Sequence, residues 1–292
     1  MKLIYIQSLS RSGSTFLQQV LAAQTGMVSL GEIERVLKNA SLQREDPYDQ
    51  ARRVAGNTRT HDKSPCSCGE PRETCEFWNP LLNRIQGLPL ADCYRELMGH
   101  FDASYPEQVL IDSSKVAGGH LRNYVDNELV QTEDVRVILL IRDFRAWCYS
   151  MQKWKKVRYA TGKYPPGYHS YLADAYRWMV NNRRAVRTLT SGPVKFCIVS
   201  HERLVFQFEQ EMSRILGFLG RDANSLELSH PPQGHELFGS QSMKRNEGEA
   251  YRIAPRYDAS WMSDNRATCY GPILYPVASF NNYVHENLAK AA

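Results

Sequence analysis

Short apolar runs alternate along the chain with longer segments of helical periodicity. The run at residues 135–141 is nearly continuous, as expected for a strand that is covered on both faces. The predicted strands are residues 3–7, 109–111, 135–141 and 194–199, and the predicted helices are residues 15–23, 115–127, 144–153 and 168–189. This alternation predicts an α/β fold of three layers, α/β/α, with a central and mostly parallel sheet.

Two segments interrupt the alternation. Residues 56–80 are rich in Pro, Cys and charge, which predicts a Cys-containing insertion, and residues 224–264 are polar, which predicts an irregular late loop. Long loops in compact domains are usually functional or disordered. No repeat, low-complexity tract or linker divides the chain, so we expect a single domain over residues 1–292.

The composition of the chain indicates which kinds of ligand and environment suit the protein. Lys plus Arg number 36 and Asp plus Glu 31, which gives a formal charge of +5. This mild excess suits an anionic small molecule better than nucleic acid, for which a clustered basic stripe is expected. No apolar run approaches the roughly 20 residues of a membrane span, and the first apolar run is too short for a signal peptide. We therefore expect a cytoplasmic protein that binds no nucleic acid.

Small residues follow the first predicted strand, in the order Ser-Arg-Ser-Gly-Ser-Thr at residues 10–15. A loop of this kind that leads into a helix presents backbone N–H groups to an anion. Gly13 permits close approach of the backbone, and Arg11 adds a fixed positive charge. An NTPase P-loop instead places Lys directly before the hydroxyl residue that binds Mg²⁺. The order here predicts a P-loop-like site for a phosphate ester without a metal; a turn that only caps the helix is the alternative.

Arg142 ends the strand at residues 135–141, and ligands of open α/β sheets bind at the carboxyl ends of strands. Ser150 comes seven residues after Asp143, two helical turns on, and so faces the same side as the start of the helix. Arg142 and Ser150 can therefore share one phosphate. The alternative is that Arg142 and Asp143 only cap the helix.

Together these elements resemble sulfotransferases that use 3′-phosphoadenosine 5′-phosphosulfate (PAPS), and in particular the bacterial and tyrosylprotein branches. Residues 11–15 resemble the 5′-phosphosulfate loop of that family, and Arg142 with Ser150 resembles its 3′-phosphate site. Two further segments match: residues 30–36, Leu-Gly-Glu-Ile-Glu-Arg-Val, and residues 112–115, Asp-Ser-Ser-Lys. The resemblance runs from residue 3 to about residue 220. It departs from the family at His201, where many members have Tyr.

The resemblance implies transfer of a sulfuryl group from PAPS to a hydroxyl on a small molecule or a side chain. It assigns Glu32 as the general base, with Arg11 and Lys115 stabilising charge on the departing phosphate. Glu34 is a second candidate, because the base of the tyrosylprotein branch falls one residue after the aligned Glu, and Ile33 occupies that position here.

The donor site implied by the resemblance combines the phosphate loop and the 3′-phosphate pair, and it needs no metal. Lys244 and Arg245 of the late loop are added as residues that could close over the phosphates, with a solvated charge pair as the alternative. The predicted members of the donor site are Arg11, Ser12, Gly13, Ser14, Thr15, Arg142, Ser150, Lys244 and Arg245. Two other hypotheses stay open at this point: a nucleotide kinase of P-loop type, which would require Mg²⁺ and ATP, and a non-catalytic nucleotide-binding protein of the same fold.

The seven cysteines are an odd number, so a complete disulfide framework is not implied. His61, Cys66, Cys68 and Cys75 lie close enough in sequence to suggest a zinc site. Cys-x-Cys is tighter, however, than the usual spacing between zinc ligands. The spacing thus favours reduced or loosely paired thiols, and no metal is predicted.

Overall fold

A parallel sheet of five strands forms the centre of the protein. The computed structural model describes residues 1–41, 65–115, 121–160, 170–238 and 255–288. The strands lie in the order β2-β3-β1-β4-β5 and are flanked by helices, which confirms the predicted α/β fold. They are β1 (Leu3–Ser8), β2 (Met27–Gly31), β3 (Val109–Asp112), β4 (Val135–Ile141) and β5 (Lys195–Ser200).

The helices of the described ranges account for most of the remaining chain. They are α1 (Ser14–Ala22), α2 (Ile33–Ala40), α3 (Trp78–Ile85), α4 (Leu90–Ser104), α5 (Leu121–Val125), α6 (Phe144–Ala160), α7 (Tyr171–Ser191), α8 (His201–Phe206), α9 (Phe208–Phe218), α10 (Arg266–Cys269) and α11 (Gly271–Tyr283). Short 3₁₀ turns occur at Thr132–Asp134 and Ala259–Ser263, and a π-helical turn, Val284–Leu288, follows α11. Within these ranges no helix combines the length and the apolar character that crossing a membrane requires.

The burial of the strands explains why their sequences are apolar. All residues of β1, β2 and β3 are buried, and in β4 only Arg136 reaches the surface in part. A parallel sheet with helices on both faces has no solvated side, so its strands lack polar alternation. β4 agrees with the prediction at both ends, whereas β2 was not predicted. The predicted helix at residues 115–127 contains α5, and residues 116–120 lie outside the described ranges.

The chain divides into two compact units. The first comprises Met1–Ile6, Thr15–Val137 and Glu227–Ile253, and the second Gln7–Ser14, Ile138–Leu226 and Ala254–Ala292. The single domain expected from the sequence stays a prediction.

In the first unit, part of the late loop pairs with β2. The N–H of Ser29 donates to the carbonyl of Gln233 at 2.9 Å, and the N–H of His235 donates to the carbonyl of Ser29 at 2.9 Å. Gly234 lies between these bonds with φ +148°, and a Cβ atom there would stand 1.9 Å from the carbonyl oxygen of Ser29. Only glycine allows so close an approach of the two backbones.

In the second unit, buried polar contacts hold α6 and α7. The ammonium group of Lys155 donates to both carboxylate oxygens of Asp174, at 2.7 and 2.8 Å. The side chain of Asn281 accepts from the N–H of Phe144 at 3.0 Å and donates to Asp143 at 3.0 Å. Buried polar contacts of this kind favour a single packing of the helices, because a buried polar group that is left without its partner destabilises the folded state.

We predict opposite effects for two Gly→Ala substitutions. Gly234→Ala is expected to lower the free energy of unfolding by about 1–3 kcal/mol or more, because the new methyl group would clash with the backbone of β2. Gly217→Ala, inside α9 with open space around it, is expected to raise it by about 0.5–1 kcal/mol. Urea denaturation of both variants tests this, and similar changes in the two would contradict the close backbone approach at Gly234.

Candidate active site

The loop between β1 and α1 has a backbone that only particular residues can adopt. Arg11 has φ +73° and Gly13 has φ +93°, and the N–H of Ser12 closes a turn on the carbonyl of Leu9 at 3.2 Å. A Cβ atom on Gly13 would lie 2.5 Å from Nδ1 of His201, the first residue of α8. Gly13 is therefore required both for its φ angle and for the space that His201 occupies. Ser12 and Ser14 beside it are buried.

Two side chains from the segment after β4 fix the carbonyl groups of this loop. Arg142 donates to the carbonyl of Arg11 at 3.2 Å, and the indole N–H of Trp147 donates to the carbonyl of Ser10 at 2.8 Å. The backbone of Arg142 is itself held, because its carbonyl accepts from the indole of Trp178 at 3.0 Å. Side chains of the protein itself thus hold the loop in position.

Arg11 forms hydrogen bonds with both Arg142 and Ser150, the two residues that the sequence assigns to one phosphate site. Nε of Arg11 donates to the hydroxyl of Ser150 at 3.3 Å. Burial, and then the positive charge of Arg142, lower the pKa of the Arg11 guanidinium. Arg142 is only 9% exposed, and among the residues that the structure describes its buried Nε has no hydrogen-bond partner. An unpaired buried donor beside a second guanidinium is a local excess of positive charge that an anion would compensate.

The neighbouring side chains do not neutralise this charge. Burial, and then Arg142, lower the pKa of His201 to about 3, so its imidazole is neutral at physiological pH. Asp143 pairs with Arg145 at 2.7 Å, and this partner outweighs burial and lowers the pKa of Asp143. Burial, and then the charge of Asp143, raise the pKa of Glu202 to about 7. Within the described ranges neither Arg11 nor Arg142 forms an ion pair with a carboxylate.

The alternative of a helix cap holds for Asp143 but not for Arg142. The carboxylate of Asp143 accepts from the N–H of Arg145 at 2.8 Å in the first turn of α6. Arg142 instead points its guanidinium at the carbonyl of Arg11. Two adjacent residues therefore have separate tasks, one closing the helix and the other contributing to the cationic cluster.

A second cluster, in the first unit, is built on Glu32 and Lys115. The register of β2 shifts between Ser29 and Gly31, and Gly31 has φ +76°. Such an irregularity re-aims the side chain that follows it, which here is Glu32. Lys115 forms an ion pair with Oε1 of Glu32, and the two side chains are 17% and 18% exposed. Glu32 precedes α2 but makes no side-chain capping bond, so helix capping does not explain it.

The carboxylate of Asp112 fixes the Asp-Ser-Ser-Lys turn, which ends at Lys115. This fully buried carboxylate accepts from the N–H of Ser114 at 2.7 Å and from the hydroxyl of Tyr124 at 2.9 Å. Burial raises its pKa to about 6. The hydroxyl of Tyr5 donates to the carbonyl of Ser114 at 2.7 Å. Asp112 therefore stabilises the Asp-Ser-Ser-Lys turn and, through it, the position of Lys115.

Glu34 has different surroundings from Glu32. Its side chain forms an ion pair with Lys38 one turn further along α2, and its N–H donates to the hydroxyl of Ser114 at 2.9 Å. Only Glu32 pairs with the lysine of the Asp-Ser-Ser-Lys turn. Of the two acids left open by the sequence, Glu32 is the one whose carboxylate forms an ion pair with Lys115.

Some members of the site were not predicted, and some predictions lie outside the described ranges. His201 and Trp147 contact the phosphate loop, although the sequence singled out neither for that position. The signal for His201 is its place directly after β5, which matches that of Arg142 after β4. Lys244, Arg245 and His61 lie outside the residues that the structure describes.

Comparisons with known proteins agree with this architecture. A family model described as "Sulfotransferase family" matches residues 4–225. The sulfotransferase domain of the Synechococcus PCC 7002 olefin synthase has a similar structure, with a TM-score of 0.56 and 19% identity over 90% of this chain and 88% of that one. The sulfotransferase domain of the curacin biosynthetic pathway gives 0.55 and 19% over 89% and 88%. A search of curated proteins finds no match.

These two structural likenesses concern the fold alone, because the identities are low. The family model is more specific, since its match begins in β1 and ends beyond α9, and so includes the phosphate loop, β4 and β5. A match over most of the chain establishes the family. The chain belongs to the sulfotransferase family.

Proposed function

We propose that the protein transfers a sulfuryl group from PAPS to a hydroxyl group of an acceptor. The observation that carries this proposal is the cationic cluster of Arg11 and Arg142, in which Arg11 contacts Ser150 and one buried donor of Arg142 has no partner among the described residues. A phosphate group would supply the missing negative charge and hydrogen-bond acceptors. Membership of the sulfotransferase family supports sulfuryl transfer over phosphoryl transfer.

In this proposal the two ends of the donor bind to different residues. Arg142 and Ser150 bind the 3′-phosphate, and residues 11–15 bind the 5′-phosphosulfate through backbone N–H groups, hydroxyls and Arg11. The start of α1 adds the positive end of a helix dipole. Lys244 and Arg245 are proposed to close over the phosphates, as the sequence predicts.

In the proposed mechanism, Glu32 is the base that takes the proton of the acceptor hydroxyl. The acceptor oxygen loses its proton to the carboxylate and forms a bond to sulfur. The bond between sulfur and the 5′-phosphate oxygen breaks, and its electron pair leaves on adenosine 3′,5′-bisphosphate. A hydroxyl is a poor nucleophile without such a base. The ion pair with Lys115 supports the choice of Glu32, because it orients the carboxylate.

Positive charge is needed where the departing phosphate gains negative charge. We assign this task to Arg11 and Lys115, whose charges are fixed before the reaction begins. Such preorganised charge is usually the largest contribution to catalysis in group transfer. These residues take the place that Mg²⁺ has in phosphoryl transfer, so the proposed reaction uses no catalytic metal.

The first prediction from this proposal concerns binding of the 3′-phosphate. Arg142→Ala is expected to weaken binding of adenosine 3′,5′-bisphosphate about ten-fold or more, since a hydrogen bond to a charged group contributes about 1.5–3 kcal/mol. Ser150→Ala is expected to weaken it less. Binding of adenosine 5′-monophosphate, which lacks the 3′-phosphate, is expected to be unchanged in calorimetric titrations.

Arg136→Ala is the matched control, because Arg136 lies on β4, the strand that Arg142 follows, and donates to the carbonyl of Glu133. It is expected to bind both nucleotides normally. Equal losses of the two nucleotides in Arg142→Ala would contradict the assignment of the 3′-phosphate to this residue.

The second prediction separates the base from its neighbour. Glu32→Gln preserves side-chain volume but removes the basic oxygen, so kcat is expected to fall by about 10²–10⁴. Affinity for adenosine 3′,5′-bisphosphate is expected to stay the same. Single-turnover measurements ensure that the chemical step is observed.

Glu34→Gln is the control, and its effect on the single-turnover rate is expected to be small, because Glu34 pairs with Lys38. The reverse pattern would move the base to Glu34. Near-full rates in both variants would exclude a base in this segment.

The third prediction concerns Mg²⁺. Turnover with PAPS is expected to be the same after dialysis into Mg²⁺-free buffer as in the presence of added Mg²⁺. Adenosine 3′,5′-bisphosphate is expected to raise the Tm, and ATP with Mg²⁺ is not. Activity that depends on Mg²⁺ and ATP would favour the nucleotide kinase, and nucleotide binding without turnover on any acceptor would favour a non-catalytic protein.

A further inference from the structure

Four potential metal ligands converge in the first unit, outside the residues assigned to sulfuryl transfer. The sulfur atoms of Cys66, Cys68 and Cys75 and a ring nitrogen of His235 all lie within 4.8 Å of one another. Nδ1 of His235 is 3.7 Å from Sγ of Cys66 and 3.2 Å from Sγ of Cys75. Sγ of Cys68 is 3.8 Å from Sγ of Cys75.

These spacings match those of a tetrahedral zinc site. Zinc bonds of about 2.3 Å to sulfur and about 2.0–2.1 Å to nitrogen place two sulfur ligands about 3.8 Å apart and a sulfur and a nitrogen about 3.6 Å apart. A single ion can thus contact all four atoms with only small shifts of the side chains. Three thiol groups and an imidazole are also ligands that select zinc.

The surroundings of His235 resemble the outer shell of a metal ligand. Its Nε2 lies 2.7 Å from the hydroxyl of Tyr105, and its ring stacks on Phe77 at a centroid distance of 5.4 Å. A proton on Nε2 that is donated to Tyr105 leaves the lone pair of Nδ1 free for a metal. Ligating histidines are usually oriented by such a bond from the other ring nitrogen.

The backbone around the cysteines is shaped to bring the sulfur atoms together. Gly69 has φ +96°, and its N–H donates to the carbonyl of Cys66 at 3.0 Å. This turn allows both cysteines of the Cys-x-Cys segment to face Cys75. The N–H of Trp78, at the start of α3, lies 3.5 Å from Sγ of Cys75 and can donate to a thiolate.

We propose that Cys66, Cys68, Cys75 and His235 bind one zinc ion. Four protein ligands complete a tetrahedral site and leave no position for water or substrate, so the site is structural. It differs from the zinc hypothesis that the sequence suggests, in which His61 is the fourth ligand. It does not depend on the proposed sulfuryl transfer.

The zinc ion joins the cysteine loop to the segment that covers the edge of β2. The hydroxyl of Ser67 donates to the carbonyl of Gly234 at 3.1 Å and accepts from the N–H of Glu236 at 2.8 Å. The same segment reaches Gly31, where a Cβ atom would stand 3.0 Å from the carbonyl of Phe238. Zinc would therefore hold this segment against the strand that precedes Glu32.

Metal content of the full-length protein tests the proposal directly. The protein is expressed in zinc-supplemented medium and purified by gel filtration. Inductively coupled plasma mass spectrometry is then expected to find about one zinc ion per chain. Cys68→Ser and His235→Ala are expected to lose most of it. Cys269→Ser, in an exposed cysteine of α10, is expected to retain the full amount.

Two further variants and two measurements on the native protein keep the test decisive if His235→Ala fails to fold. Cys68 is exposed, so Cys68→Ser removes a ligand with little effect on packing, and Tyr105→Phe is expected to weaken zinc binding about 10–100-fold through loss of the outer hydrogen bond. In the native protein, alkylation of Cys68 is expected to be slow until a strong chelator removes the metal, and removal is expected to lower the Tm.

Three outcomes would overturn the proposal. The first is folded protein without bound metal and with freely alkylated thiols. The second is a disulfide between Cys68 and Cys75. The third is zinc that stays at the wild-type amount in both Cys68→Ser and His235→Ala.

Discussion

The guanidinium groups of Arg11 and of the buried Arg142 repel each other, and the second unit is organised to hold them in spite of this. The strand β4 carries Arg142 to its position, and the indole of Trp178 holds its carbonyl. Arg142 in turn binds the carbonyl of Arg11, whose φ of +73° is itself uncommon for a residue with a side chain. Because contacts within the protein hold these groups, little reorganisation would oppose the binding of an anion.

The same constraint explains the acids around the cluster. A free carboxylate near Arg142 would neutralise it and compete with phosphate. Asp143 is engaged by Arg145 and by Asn281, and burial raises the pKa of Glu202 to about 7, so that this group carries less charge. The positive charge thus remains available even though two acids lie next to it in sequence or in space.

The sequence predicted those parts of the molecule that depend on local patterns. β4 could be predicted, and the loop at residues 10–15 and the positions of Arg142 and Ser150 could be singled out as candidates, because each lies within a short segment of distinct composition. β2 was missed because its few residues include Ser29 and Gly31, and because its outer partner, Gly234, is remote in sequence. Glu32 and Glu34 could not be separated by sequence, since the lysine that distinguishes them follows a different strand.

The cysteine cluster shows the same limit. His61 was the natural candidate for a fourth ligand because it is near the cysteines in the chain. His235 is separated from Cys75 by 160 positions and lies beyond the part of the chain that the family model matches. Pairing of residues 233–235 with β2 is what brings it to the sulfur atoms, and no local pattern announces that pairing.

The division of the first unit along the chain has a consequence for its synthesis. The partner of the β2 edge and the histidine beside the cysteines both belong to the segment that starts at Glu227, after the whole of Ile138–Leu226. At about 5–20 residues per second, a ribosome needs on the order of ten seconds to reach that segment after Val137 emerges. During this interval β2 has an open edge, which other chains can pair with. The first unit can be completed only when the late segment has left the ribosome.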